Sequence, residues 1–127
     1  MPPRLTETIE GYVAGDSLTL LYSVRNLPSG RTLTKGWFTV KVAKADADPG
    51  VLQCVITTGL TSEGQITDAT GVASGSLTFT ATPAQTGALT PGTEYFYDVQ
   101  VKLDDASITT IEGGTITLEQ GVTAATS

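Results

Sequence analysis

The chain has 127 residues, 39% of them hydrophobic and 16% charged, with a formal charge of −6, one Cys and no His. That length suits one folded domain, and the missing His removes the Ser-His-Asp triad, the Cys-His pair and the common zinc sites. The acidic balance speaks against a nucleic-acid partner, which would need clustered Lys and Arg, and no apolar run approaches the roughly 20 residues of a membrane-spanning helix. With 23 Thr, 10 Val and 6 Ile, punctuated by 14 Gly and 6 Pro, the β-branched residues that suit a pleated surface dominate, and an all-β domain is expected.

In chain order, the paired prolines Pro2 and Pro3, followed by Arg4, predict an extended N-terminal arm over residues 1–5. No secretory signal is visible there, so the chain is expected to be made and kept in a cytoplasm. After a turn at Ala14-Gly15-Asp16, residues 17–25 alternate Leu18, Leu20, Tyr22 and Val24 against polar neighbours, predicting a strand with one buried face. Residues 37–43 place Phe38, Val40 and Val42 on one face and Trp37, Thr39 and Lys41 on the other. Residues 51–58 are apolar on nearly both faces, which predicts a central strand or one covered by a partner. A weaker strand follows around Ile66, then a clean one over 75–82 with Leu77, Phe79 and Ala81 inward and Thr78, Thr80 and Thr82 outward.

Pro83-Ala84-Gln85-Thr86 ends that strand and predicts one helical turn. The clearest alternation, residues 94–103, turns Tyr95, Tyr97, Val99, Val101 and Leu103 inward and Phe96, Asp98, Gln100 and Lys102 outward. Asp104-Asp105-Ala106-Ser107 reads as a hairpin turn into residues 108–111, and Glu112-Gly113-Gly114 as a break before 115–119. The expectation is eight or nine mostly antiparallel strands in one sandwich over residues 6–121, with a tail at 122–127. Either terminal segment is suited to docking on a neighbour.

Charge is unevenly placed. Arg25, Arg31, Lys35, Lys41 and Lys44 are five of the seven basic residues, and none lies between Ala45 and Val101. Such polarity can steer head-to-tail association between copies, although a solvated surface without that purpose also accounts for it. Asp46 and Asp48 have a spacing that could offer oxygens to calcium, yet no further acidic or amide ligands follow, and a hairpin loop explains them more simply. Asp104-Asp105 reads the same way. No pair among the thirteen acids stands out as a general acid and base, and Gly71 to Ser76 lacks the Lys of a phosphate loop. No enzymatic activity, metal or cofactor is expected. For Trp37 three readings stay open: core, subunit interface or sugar contact. Tyr12, Tyr22 and Phe96 also offer aromatic faces, and Cys54 reads as a small buried hydrophobe.

Leu89-Thr90-Pro91-Gly92-Thr93-Glu94-Tyr95 and the strand after it resemble the corner before the late strand of immunoglobulin-like domains. There a Tyr near the strand's start bonds back to the backbone, and Tyr95 is the matching residue. The paired Cys of antibody domains is absent, and two short strands rather than one are expected after the Tyr-bearing strand. A wider pattern, covering roughly residues 11–123, runs from Ala14-Gly15-Asp16-Ser17-Leu18 through Gly36-Trp37-Phe38, Gly64-Gln65-Ile66, Leu77-Thr78-Phe79 and Tyr95-Phe96-Tyr97-Asp98 to Glu112-Gly113-Gly114 and Val122-Thr123. It is similar to small immunoglobulin-like structural proteins of tailed bacteriophages, as in the N-terminal domains of upper baseplate proteins and in stand-alone virion proteins.

The resemblance implies a structural role on the virion, with no catalytic residues to carry over. Because the sequence ends shortly after Val122-Thr123, a capsid decoration protein is expected ahead of a baseplate component or fibre adaptor. It would be an oligomer, most simply a homotrimer, bound to the major capsid protein or another virion protein, with Trp37, Lys41, Phe96, Pro2, Pro3 and Arg4 as interface residues. A carbohydrate-binding or adhesion module is the expectation from a different class.

Overall fold

The computed structural model describes residues 5–25, 31–48, 50–68 and 74–121. The expected arm residues Pro2, Pro3 and Arg4, the tail 122–127 and most of the Gly71–Ser74 loop lie outside the described residues. Eight strands and one short helix follow in chain order: β1 (Leu5–Ile9), β2 (Leu18–Arg25), β3 (Leu33–Lys41), β4 (Leu52–Ile56), β5 (Gly64–Asp68), β6 (Ser74–Ala81), α1 (Pro83–Gly87), β7 (Tyr95–Leu103) and β8 (Ile108–Ile116). They form a five-stranded sheet in the order β1-β8-β7-β3-β4 and a three-stranded sheet in the order β2-β6-β5. All pairings are antiparallel except β1 with β8. The connectivity is that of an immunoglobulin-like sandwich, in which strands two, six and five oppose strands eight, seven and three.

Alternation sets which faces meet. Phe38 and Val40 from β3, Tyr97, Val99 and Val101 from β7, and Leu18, Leu77 and Phe79 from the opposing sheet are all buried. The ring of Phe38 lies 5.9 Å from Phe79 and 5.6 Å from Tyr97, centroid to centroid, so aromatic contacts span the two sheets at their middle. At Gly36 a Cβ would meet Ile56 Cγ1 of neighbouring β4 at 3.1 Å and Phe79 Cζ of the opposing sheet at 3.4 Å. Cys54 is fully buried with Sγ 3.5 Å from the Thr80 carbonyl, and burial, followed by the nearby Glu63 carboxylate, pushes its thiol up to about 12.

Two corners fix the strand ends. Thr93 N–H donates to Thr90 O at 3.2 Å across Pro91 and Gly92, and Gly92 has φ +80°, as a type II turn requires. The Tyr95 hydroxyl then accepts from Thr90 N–H at 2.8 Å, forming the backward bond of the tyrosine corner. At α1, Thr82 and Gln85 make a reciprocal capping box with Pro83 at the first turn. Buried Thr86 donates its hydroxyl to Asp16 O at 2.7 Å and accepts from Gly15 N–H at 3.0 Å, tying the helix to the turn before β2.

Four sequence expectations are corrected. Leu5–Ile9 is a strand, laid parallel on β8, where the sequence reading saw no strand. β3 begins at Leu33 and ends at Lys41, so Val42, expected inward, is 59% exposed: Val51 N–H bonds Val40 O at 2.9 Å and the chain turns away. β4 is an edge strand and not a central one. Its far side is closed by the chain itself, because Glu63 Oε1 accepts from Val55 N–H at 3.1 Å and Thr57 O accepts from Ile66 N–H at 2.8 Å. Finally, residues 108–116 form one strand in place of two. The register shifts between Val99 and Gln100, so Ile111 is an extra residue on β8, and the bulge carries the strand through Glu112-Gly113-Gly114.

Candidate functional site

The pleat turns every second residue of the five-stranded sheet outward, and register joins them into rows. Lys35 stands opposite Lys102, Trp37 opposite Gln100, Thr39 opposite Asp98 and Lys41 opposite Phe96. β4 adds Val55 beside Trp37 and Gln53 beside Thr39, while β8 adds Ile108 beside Lys102, Gly113 beside Asp98 and Thr115 beside Phe96. The row through Gly113 has no side chain at that position, and a shallow depression of about 170 Å³ opens there, lined by Thr39, Lys41, Lys44, Phe96 and Asp98. It continues along the sheet into a polar hollow bounded by Trp37, Asp48, Gln53, Gln100 and Ile108. The first depression is smaller than the roughly 300–1,000 Å³ of pockets that enclose a small molecule, and the second, at about 350 Å³, lies at the lower end of that range. The site is a face contoured by two shallow hollows.

Its polar floor is internally bonded. Gln53 Nε2 donates to Thr39 Oγ1 at 3.0 Å, which helps to explain why Thr39 is buried although it points outward, and Gln100 Nε2 donates to Thr110 Oγ1 at 3.2 Å. The two aromatics flank this floor, each under an ammonium group: Lys35 Nζ lies 5.3 Å from the Trp37 ring centroid and Lys44 Nζ 5.2 Å from that of Phe96. Lys41 pairs with Asp48 at 2.8 Å. The expected interface residues Trp37, Lys41 and Phe96 thus stand on one face. Trp37 is half-buried on the outer side, which removes the core reading and leaves the interface and sugar readings. Stacking a sugar on either ring would require its lysine to move.

The other singled-out residues lie elsewhere. Tyr12 is exposed, while Tyr22 packs edge-on against Phe79 with centroids 6.0 Å apart. Asp46 Oδ2 accepts from Ala43 N–H at 3.0 Å and Asp46 N–H donates to Ala43 O at 3.0 Å, closing a four-residue turn over 43–46 in which the Asp bonds the backbone. Asp104 and Asp105 face Arg31 at 3.5 and 3.6 Å. The Ser107 hydroxyl and N–H, donating to Asp105 Oδ1 at 2.6 and 3.0 Å, hold that carboxyl below its ordinary range, with Arg31 adding to the effect.

Sequence reasoning named Trp37 and Phe96 but missed that lysines sit on both rings, and it missed Lys102, Gln53, Ile108 and Gly113 as members of the same face. Lys102 was legible as an outward residue of the 94–103 alternation, whereas the rows needed the strand order. Neither a scan against protein-family models nor a search of curated proteins returns a match.

Proposed function

We propose that the chain is a non-enzymatic binding sandwich whose working surface is the outer face of the five-stranded sheet. The particular reading is a structural protein of a tailed-phage virion, a capsid decoration protein that binds the major capsid protein of the head lattice as an oligomer, on the virion surface. One observation carries the binding reading: half-exposed Trp37 and Phe96, capped by Lys35 and Lys44, on a regular sheet with a hydrogen-bonded floor. Aromatic side chains held on such a scaffold are among the residue types enriched at protein interfaces, where Lys is depleted, so the rings carry the reading and the lysines add charge. Strands of five, nine, nine, nine and five residues, at about 4.8 Å between strands and about 3.3 Å per residue, give a face on the order of 600 Å², below the roughly 800 Å² per partner of a standard interface. The resemblance to small phage immunoglobulin-like proteins supplies the virion context.

The test is co-sedimentation of the purified chain with DNA-filled heads and, separately, with tails. Saturable binding to heads supports decoration, and its loss in Trp37→Ala at unchanged solution mass would assign the head contact, and not a contact between copies, to this face. Binding to tails alone moves the reading to a tail or baseplate component, and binding to neither, with hits on a glycan array, moves it to adhesion.

A further inference from the structure

We propose that the outer face of the five-stranded sheet docks a second copy of this chain, receiving the acidic end of its neighbour. Lys35 and Lys102 stand directly opposite each other across β3 and β7, an arrangement that like charges disfavour. Among the described residues, neither they nor Lys44 have an ion-pair partner within 4 Å. Every cation whose side chain is described, Arg31, Lys35, Lys41, Lys44 and Lys102, lies on this face or at its margin, on a chain of net charge −6. Arg31 is paired with Asp104 and Asp105 and Lys41 with Asp48, so the cations that carry the argument are Lys35, Lys102 and Lys44, while Asp98 stands in the row between Trp37 and Phe96.

The complement lies at one end of the same molecule. Glu119 N–H bonds Tyr12 O at 2.8 Å, Ala14 N–H bonds Glu119 O at 2.9 Å and Gly92 N–H bonds Leu118 O at 2.9 Å. These bonds gather the turn before β2, the corner before β7 and the segment beyond β8 into one surface. It exposes Glu10, Asp16, Glu94 and Glu119 on three segments that contain no Lys or Arg, with Lys41, paired to Asp48, and Lys44, over the Phe96 ring, at its sheet-side border. Trp37 and the 54% exposed Ile108 beside Lys102 supply apolar contact, and the lysines supply attraction and register.

A face meeting an end is a heterologous contact. It closes into a ring when the rotation per subunit permits and otherwise extends as a filament. The proposal deepens the lattice-binding reading and rests on its expectation of an oligomer; a three-membered ring is the form that expectation requires.

The test measures solution mass across a concentration series for the wild-type chain, Lys35→Glu/Lys102→Glu, Glu94→Lys/Glu119→Lys, and the four changes together. Wild type should associate, and about tenfold more weakly at about 0.5 M than at about 0.05 M salt. Each double variant should weaken association at least about tenfold, and the fourfold variant should restore it to within about threefold, as expected of groups that meet across one interface. Lys35→Gln/Lys102→Gln, which neutralises without reversing charge, should give an intermediate loss and guards against misfolding in the reversed variant. A wild-type chain that stays monomeric, association untouched by either double variant, or failure of the fourfold variant to recover would overturn the proposal. The outcomes separate the two readings: a monomer that still sediments with heads overturns this surface and the expected oligomer but leaves head binding standing, and an oligomer that binds no particle overturns the lattice reading alone.

Discussion

The two outer faces of the sandwich share a pleat and differ in chemistry. On the three-stranded sheet, the outward residues whose side chains are described, Thr19, Leu21 and Ser23 of β2, Ser76, Thr78 and Thr80 of β6, and Gln65 and Thr67 of β5, are uncharged, with Leu21 77% exposed, and the charged register positions are Arg25 opposite Ser74 and Asp68 opposite Ser76 at one end. On the five-stranded sheet the outward positions carry lysines, aromatics, amides and Asp98. Burial of the inner faces makes the same demand of both sheets, so it cannot account for the difference. Threonine on an exposed strand satisfies β propensity and solubility at once, whereas a Trp and two facing lysines satisfy neither as well. Chemistry beyond folding is concentrated on the larger sheet.

Three experiments test how separate these regions are. The largest expected effect lies at the seam, where Cys54 of β4 reaches Thr80 of β6. Its folded-state thiol is raised from 9.0 to about 12, so its contribution to stability is fully present below about pH 9 and is lost as pH rises from there towards 12. The stability difference between wild type and Cys54→Ala, from denaturant titrations, should be constant below pH 9 and should fall by up to about 1.4 kcal/mol per pH unit above it. A flat difference would mean that the sheets part locally and let water reach the sulfur.

Next is Tyr95→Phe, which removes the acceptor for Thr90 N–H and leaves ring packing intact. It should lower stability by about 1 kcal/mol, seen as a lower denaturant midpoint with an unchanged slope. The smallest effect is on the threonine face. Leu21→Lys should shift stability by less than about 0.5 kcal/mol and leave the solution mass unchanged, while charge reversal on the opposite face alters the mass. An equal loss of association from Leu21→Lys would erase the contrast between the two faces.

Alternation alone made much of this molecule legible. The inward sets of β2, β6 and β7 follow from period two, and the Thr90 to Tyr95 corner from Pro-Gly chemistry and a following Tyr. What escaped notice needed partners distant in sequence. Leu-Thr-Glu-Thr-Ile at β1 is too short and polar to announce a strand, and it becomes one by lying parallel on β8, more than a hundred residues away. β8 itself was hidden by its bulge: with Ile111 as an extra residue, Ile111, Glu112 and Gly113 are buried in succession, which breaks the pattern a reader follows. β4 reads as central because Leu52, Cys54 and Ile56 face the core while Val55 packs beside Trp37, and neither feature reveals which strand comes last in the sheet. At the candidate site, Trp37 and Phe96 were visible as outward aromatics, but cation placement over their rings depends on χ angles and loop path, on which periodicity is silent.

The Glu63 carboxylate, holding Val55 N–H at the rim of β4, has a consequence for life at high copy number. In the decoration role proposed above the chain would accumulate to many copies before use, and an unblocked strand at the end of a sheet would let those copies zip together through their backbones into insoluble fibres. With a carboxylate already seated where a visiting strand would need to bond, the β4 edge, one of four sheet edges with β1, β2 and β5, is guarded against templating another copy.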